Sequence, residues 1–362
     1  MDDRRPDSLE RWIVYRQLCE LLALSRGRPL AEQDDWRWEE IVALASRHLV
    51  TPSLVEAVAS IPSAPDDLKH YLSEVRAMNA RRNAIIGDAL VALNDTLTRE
   101  GVRPIYLKGA ASLVAGLYDD PGERMIGDVD ILVAPEAVDT ARRALQGAGY
   151  VFALPNRHGE DIADFHHLPM ATHPDTGVGV EEHHAMVDLE HRELLPASAV
   201  LACAITVQWR MRDFAVPCAT DRTIHNIVHD QLHHIGAERG TGSLRQLREL
   251  AILAAREGDR IDWREIETRF AQAGRGDVLA AQATYCRSFM GVALPLREID
   301  EDAAMERRRH GIRRLTAAES ALALTMLYAR NLRRQPGLVL NLLAPTRWPA
   351  RIRNWRTHFA RR

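Results

Sequence analysis

Apolar positions recur at three- and four-residue steps through the first hundred residues, the period of amphipathic helices. Trp12, Ile13, Leu18, Leu21 and Leu22 mark one such helix. A longer one is predicted to start behind Pro62 and Pro65, with Asp66 or Asp67 as N-cap. Its inner face would carry Leu68, Leu72, Val75, Met78, Ile86, Leu90, Leu93 and Leu97, and Gly101 would end it. The pattern switches at Arg103. Residues 104–107 read as a short strand, Lys108-Gly109 as a turn and Ala110 to Tyr118 as a helix. Residues 128–133 read as a strand with alternating faces, followed by a helix opened by Pro135 and Glu136. Further strands are expected at 150–154, 164–170 and 178–184, the last two joined by the turn-rich stretch 173–177. Helical spacing returns from Asp221 through Leu232, and again over 243–256, 262–273 and 316–332.

This order predicts an α+β chain, a small mixed sheet flanked by helical segments. The expected divisions are an N-terminal helical domain at 1–100, a sheet domain at 101–217, a C-terminal helical domain at 218–335 and a basic tail at 336–362.

Composition narrows the function classes. The chain is 46 % apolar and 27 % charged with a net charge of −3, which fits a packed globular protein and excludes a generally polycationic nucleic-acid binder. Neither the opening MDDRRPDS nor any later run is apolar enough for a signal peptide or a membrane span. Cys19, Cys203, Cys218 and Cys286 are scattered without a CxxC pair, so free thiols in a reducing cytoplasm are expected. Of 47 basic residues all but Lys69 and Lys108 are arginines, and nine arginines stand between Arg330 and Arg362 with no carboxylate among them. Trp348, Trp355 and Phe359 interleave with that tail. Internal packing suits it better than base stacking, so nucleic acid is not the favoured partner.

The candidate chemistry gathers around the strand at 128–133. Asp128 and Asp130 are two apart, so their carboxylates share one face while Val129 and Ile131 point to the core. Two carboxylates held this close repel unless a cation stands between them, and oxygen ligands of this kind suit Mg²⁺. Twenty residues upstream, Lys108-Gly109 runs from a strand straight into a helix, a turn where backbone N–H groups can approach a phosphate. Arg124 supplies a second cation suited to phosphate. A third acid lies in Val180-Glu181-Glu182-His183-His184, where either Glu181 or Glu182 qualifies. If Val180 faces the core, Glu181 and His183 share the opposite face. Two aspartates, a separate strand acid and a glycine turn are the skeleton of two-metal phosphoryl or nucleotidyl transfer.

LKGAA at 107–111, Arg124 with DVDILV at 128–133, HHLPM at 166–170 and VEEHH at 180–184 together resemble the poorly characterised bacterial nucleotidyltransferase family of the DNA-polymerase-β-type superfamily. The resemblance implies a small α/β palm that uses Mg²⁺ and a nucleoside triphosphate, with ATP the first candidate. A nucleotidyl group would pass to an acceptor hydroxyl on a small molecule, a peptide or protein, or RNA. It also implies roles. Asp128 would bridge two Mg²⁺ ions, with Mn²⁺ as substitute, and Asp130 would ligate at least one. Glu181 would hold the metal at the acceptor hydroxyl or act as its base. Lys108 and Arg124 would neutralise the triphosphate beside Gly109 and Ser112, and His183 and Glu182 would support the site or face the acceptor. Two departures from the superfamily pattern stand out. Gly109 is followed by Ala110 rather than Gly or Ser, and a long spacer, 110–127, separates the turn from the aspartates.

Seven of the 15 histidines fall between His158 and His191, but adjacent pairs such as His166-His167 and His183-His184 point to opposite faces of a strand and do not chelate one ion readily. His225 and His229 are i, i+4 on a predicted helix, and His229-Asp230 mimics the centre of an HD-type metal phosphohydrolase site. That hydrolase is the alternative enzyme class. A catalytically degenerate module that binds a nucleotide or a partner is the alternative without chemistry.

Overall fold

A computed structural model describes residues 8–23, 35–153, 168–234 and 236–313. The helix expected at 316–332, the basic tail, His158, His166-His167 and the first four residues of the strand expected at 164–170 lie outside these. Helices α1 (Ser8–Leu22), α2 (Trp38–Arg47) and α3 (Val55–Ala59) precede the 34-residue α4 (Asp66–Arg99). Pro65 stands at the N-cap of α4, so Asp66 and Asp67 both fall inside its first turn, where their charges favour the helix dipole. Gly101, at φ +74°, ends the helix as expected.

The middle of α4 departs from the apolar stripe. Met78 is 62 % exposed, and the inward positions between Leu72 and Ile86 are Arg76, Asn79 and Asn83. These side chains bind the chain that follows the first strand, as described below.

The sheet combines β1 (Ile105–Tyr106), β2 (Val129–Leu132), β3 (Val151–Phe152), β4 (Ala171–Thr172), β5 (Gly179–His183), β6 (Ile205–Trp209) and β7 (Arg212–Val216) in the order β3-β4-β5-β2-β1-β7-β6. β2–β5 and β1–β7 pair parallel, and the other neighbours antiparallel. The fold is α+β, as the sequence pattern implies. Helices α5 (Lys108–Val114) and α6 (Val138–Gly147) join α4 on one face, where Ile86, Leu90, Ala111 and Leu145 pack on Tyr106, Val129, Ile131, Val180 and Phe214. The opposite face carries Ile105, Leu107, Leu132 and Ala215. It packs under α1 together with α8 (Ala219–Val228), α10 (Leu244–Glu257) and α12 (Gly276–Met290), which follow α7 (Ala197–Cys203) and enclose α9 (Gly236–Arg239) and α11 (Trp263–Gln272) in sequence; α13 (Glu301–Arg313) closes the series. One core therefore serves the first and last helices, with Tyr15 of α1 edge-on to Phe289 of α12 at 5.4 Å.

Residues 205–216 form a hairpin that their sequence hides. Its two turn residues are Arg210 and Met211, at φ +47° and +58°, where Asn-Gly would be the usual signal. Met211 is 91 % exposed, so Met211→Gly removes the left-handed strain without removing a buried contact. It is expected to stabilise the chain by up to about 1 kcal/mol in denaturant titration; a loss of stability would contradict this.

His48, at the end of α2, accepts a hydrogen bond at Nδ1 from the Leu244 N–H of α10 (3.3 Å). Burial, then Arg308 and Arg47, pushes its pKa down to about 4. The unfolded chain therefore binds a proton first as pH falls, and stability present above pH ~6.5 is lost toward pH 4. Asn at this position keeps an acceptor and does not titrate. Relative to His48→Asn, the wild-type chain is expected to lose about 3 kcal/mol between pH 7 and pH 4. Equal pH slopes for the two proteins would refute the assignment.

All four cysteines are free. No helix among the described residues is long and apolar enough to cross a membrane.

Candidate active site

β1 runs through Leu107 into α5, and the Leu107 N–H bonds the carbonyl of Asp130, tying the turn to β2 (2.9 Å). The left-handed residue of this turn is Lys108, φ +47°, and not Gly109. An L-residue there costs on the order of 1 kcal/mol, and it swings the only cation of the turn onto β2. Lys108 Nζ donates to Asp130 Oδ1 at 2.5 Å. Gly109 has a packing reason instead: a Cβ there would stand 3.2 Å from Ile126. The Ser112 hydroxyl is buried and donates to the Lys108 carbonyl (3.1 Å).

Asp130 lies on β2 and is 2 % exposed. Its register partner on parallel β5 is Glu181, and Leu132 pairs with His183, so all four side chains share the face away from α4–α6. Asp130, Glu181 and His183 each offer a ligand atom, all within 4.8 Å of one another. His183 Nε2 donates to Asp130 Oδ1 (2.8 Å) and stands 3.8 Å from Glu181 Oε2. Burial alone would raise the pKa of Asp130. The His183 hydrogen bond and the Lys108 charge more than offset that and hold the carboxyl well below the usual range.

The same register separates the two glutamates. Glu182 falls on the opposite face, buried, with no hydrogen-bond partner for its carboxyl oxygens among the described residues. Burial pushes its pKa up to about 7, against the nearby charge of Arg142.

Asp128 is not a strand residue. β2 begins at Val129, because Arg82 of α4 takes the carbonyls of Ile126 (2.5 Å) and Gly127 (3.0 Å) and keeps them out of the ladder. Asp128 therefore sits at the leading end of β2, half-buried and outside the close trio. Burial raises its pKa first and the Asp130 charge raises it further, while Lys108 and Arg245 act against both.

The long spacer before Asp128 is gripped from two sides. Asn79 donates to the carbonyls of Gly122 (2.7 Å) and Arg124 (3.1 Å), and Asn83 to those of Pro121 and Arg124 (2.7 Å each). From α10, Arg248 pairs with Glu123 (2.7 Å) and Glu249 with Arg124 (2.5 Å), and the Tyr118 hydroxyl also reaches Glu249 (3.3 Å). Arg124 is thus a buried clamp residue, its guanidinium committed to Glu249. Burial alone would raise the pKa of Glu249, and Arg124 reverses that. A cavity of about 310 Å³ between α4, α5 and the β6–β7 turn is lined by Ser112 and Arg124, but by none of Lys108, Asp128, Asp130 and Glu181.

Sequence reasoning missed Asn79, Arg82, Asn83, Glu249 and Arg245. The available signal was the lapse of the apolar stripe between Leu72 and Ile86, where polar residues hold the inward positions. Arg245 on α10 is half-buried; its charge reaches both Asp128 and Arg124, and it makes no ion pair among the described residues.

A family described as an uncharacterised nucleotidyltransferase matches residues 34–291, which contain every group named above in this section. The chain belongs to this family. It is a nucleotidyltransferase, and therefore a transferase. No curated protein and no solved structure matches the chain.

In this nucleotidyltransferase no HD-type arrangement is assembled among the described residues. Asp230 is buried, with Oδ1 taken by the Ser243 N–H (2.8 Å) and Oδ2 by Gln231 (2.5 Å), and it joins no metal-capable group among the described residues. The histidines that converge as a group of three are His229, His233 and His234, while His225 stands edge-on to His229 at 6.0 Å. The Lys108 charge is felt at His229 and His234, where burial is the leading cause of a lowered pKa, to about 4 for His234.

Proposed function

We propose that the enzyme moves a nucleoside monophosphate from a nucleoside triphosphate, ATP first, to a hydroxyl acceptor in a Mg²⁺-dependent reaction that releases pyrophosphate. The pairing of Asp130 with Glu181 on adjacent parallel strands, beside Lys108 and behind Asp128, supports this reading best. The donor set fits a hard dication: two carboxylates reach one point, and a third is hard to charge beside Asp130 until positive charge arrives. Asp130 and Glu181, with Asp128, would hold the metal, and Mn²⁺ would serve in its place. A bound ion of this kind supplies positive charge to the α-phosphate and lowers the pKa of the acceptor hydroxyl.

The chain supplies the rest. Lys108 carries a compact ammonium on a flexible stem, suited to turn from Asp130 to triphosphate oxygens. Arg124 is spent on Glu249, so Arg245 takes the second cationic place in this reading. His183 holds Asp130 ionised and oriented. Glu181, less buried than Asp130, receives the acceptor proton, and the acceptor oxygen attacks the α-phosphorus in line with departing pyrophosphate. Free thiols favour the cytoplasm as its place of action.

The test is incubation with Mg²⁺ and each nucleoside triphosphate, labelled at the α- or the γ-phosphate, alone and with cell extract. Transfer of α-label to a protein, RNA or small-molecule fraction, lost in Asp128→Asn/Asp130→Asn, is expected. Transfer persisting in that double variant overturns the reading. Release of γ-label as inorganic phosphate without transfer points to a hydrolase, and binding without turnover to a degenerate module.

A further inference from the structure

A second group of potential ligands stands outside the acidic trio. Helix α8 runs on into one π-helical turn, His229–His233, in which the His234 N–H bonds the His229 carbonyl at 3.1 Å. An α-helix places positions i and i+4 on one face and carries i+5 round the side. A π turn takes between four and five residues, so i+4 and i+5 straddle the side chain of i. The insertion brings His229, His233 and His234 together. Their ring centroids are 5.3 Å (229–233), 4.5 Å (229–234) and 4.7 Å (233–234) apart, and one ligand atom from each lies within 4.8 Å of the others.

Two of the rings are braced from behind. Asp188 Oδ2 accepts from His233 Nδ1–H at 2.6 Å, which fixes the tautomer whose lone pair is on Nε2. Gln246 Nε2 lies 2.8 Å from His229 Nδ1, a contact in which the amide donates. Exchanging the amide's nitrogen and oxygen, which fill the same space, turns Oε1 to that nitrogen, and this flipped orientation is the one that holds His229 in the same tautomer as His233. A hydrogen-bonding group behind a ligating imidazole is the usual support of a histidine metal site, and among the described residues no carboxylate joins the three histidines in this group.

We infer that His229, His233 and His234 form a site for a divalent transition metal, with Zn²⁺ the reference ion, distinct from the Mg²⁺ site of the transfer reaction. Three nitrogen donors select Zn²⁺, Co²⁺ or Ni²⁺ over Mg²⁺, and the fourth position is left to water or an oxygen ligand. Tetrahedral Zn²⁺ needs donor nitrogens roughly 3.3 Å apart at a Zn–N distance of ~2.0 Å, a closure of at most about 1.5 Å from the 4.8 Å limit, within reach of small rotations of the three rings.

The test uses the full chain, stripped with a chelator and carrying Asp130→Asn so that the acidic trio contributes no binding. Zn²⁺ is titrated in competition with a chromophoric chelator, and Co²⁺ is followed by its visible absorption. One Zn²⁺ per chain is expected, with a Kd on the order of 1 µM or tighter, and Co²⁺ should give the intense bands of a four- or five-coordinate site. His234→Ala, at an exposed position, should lose at least 100-fold in affinity with unchanged circular dichroism. Asp188→Asn should weaken binding roughly 10- to 100-fold. Zn²⁺ binding unaltered by His234→Ala, or absent from the folded Asp130→Asn chain, overturns the proposal. Neither result bears on nucleotide transfer, which is read in the labelled-triphosphate assay with the wild-type enzyme.

Discussion

Asp130→Asn is expected to lower nucleotidyl transfer by about 10³- to 10⁴-fold, equivalent to roughly 4–5.5 kcal/mol of transition-state stabilisation. The substitution keeps the shape of the side chain and removes its charge. Asp130 is buried on the middle of the sheet, and Lys108, His183 and Glu181 all stand around its carboxyl. Asn accepts one hydrogen bond in place of a charge-assisted pair and offers a dication a much weaker ligand. Steady-state kinetics with α-labelled triphosphate, together with circular dichroism on the same sample, reads the effect. Glu182→Gln is the matched control. It changes a neighbouring acid on the other face and should leave turnover within a few-fold. A loss at Glu182 as large as that at Asp130 would contradict the assignment of the two faces.

The largest stability effect is expected at Arg124 and Glu249. Both are buried and pair at 2.5 Å, one on the spacer before Asp128 and the other on α10. Removing one partner leaves the other charge buried and uncompensated, so Arg124→Met or Glu249→Leu should each cost about 3–5 kcal/mol. The double variant Arg124→Met/Glu249→Leu should regain most of that, because two apolar side chains carry no desolvation penalty. Denaturant midpoints of the four proteins form the cycle. Single-variant losses under about 1 kcal/mol, or a double variant no better than the singles, would show that the pair is not the clamp described. The double variant also separates fold from function. A stable chain with slack around Asp128 should transfer poorly, since positioning carries much of phosphoryl-transfer catalysis.

The strands and turn around Lys108, Asp130 and Glu181 were legible because they are short-range features. A Gly-bearing turn, a D-x-D strand and period-two alternation at 180–183 each fit within a few residues. Four things were not. Asp128 read as a strand residue because nothing local reveals that Arg82, some 45 residues away, holds the carbonyls beside it. Arg124 read as a phosphate ligand because its residue type suits phosphate, whereas its partner Glu249 lies 125 residues on, in another helix. The β6–β7 hairpin was missed for want of a turn signal at Arg210-Met211. Helix α12 is buried on nearly every side, so its sequence shows no amphipathic period to detect. What escaped the sequence is long-range pairing and the absence of contrast, not weak propensity.

The sheet order has a consequence for synthesis. Its four central strands, β5, β2, β1 and β7, come from residues 105–216, and two of their three pairings are parallel. Antiparallel β1 and β2 can meet as soon as both have left the ribosome, but neither outer edge of that ribbon is covered until β5 and β7 arrive. At ~5–20 residues per second, the delay between the ends of β2 and β7 is roughly 4–17 s. Until β5 arrives the nascent chain displays two unpaired edges, and the β1 edge stays open for the whole interval, with Ile105 and Leu132 still waiting for the later helices α8, α10 and α12, a template for the wrong strand. A protein built this way should be slow to mature and should depend on holdase chaperones during translation. Its yield in a heterologous host should rise when elongation is slowed just after residue 216 or when growth temperature is lowered.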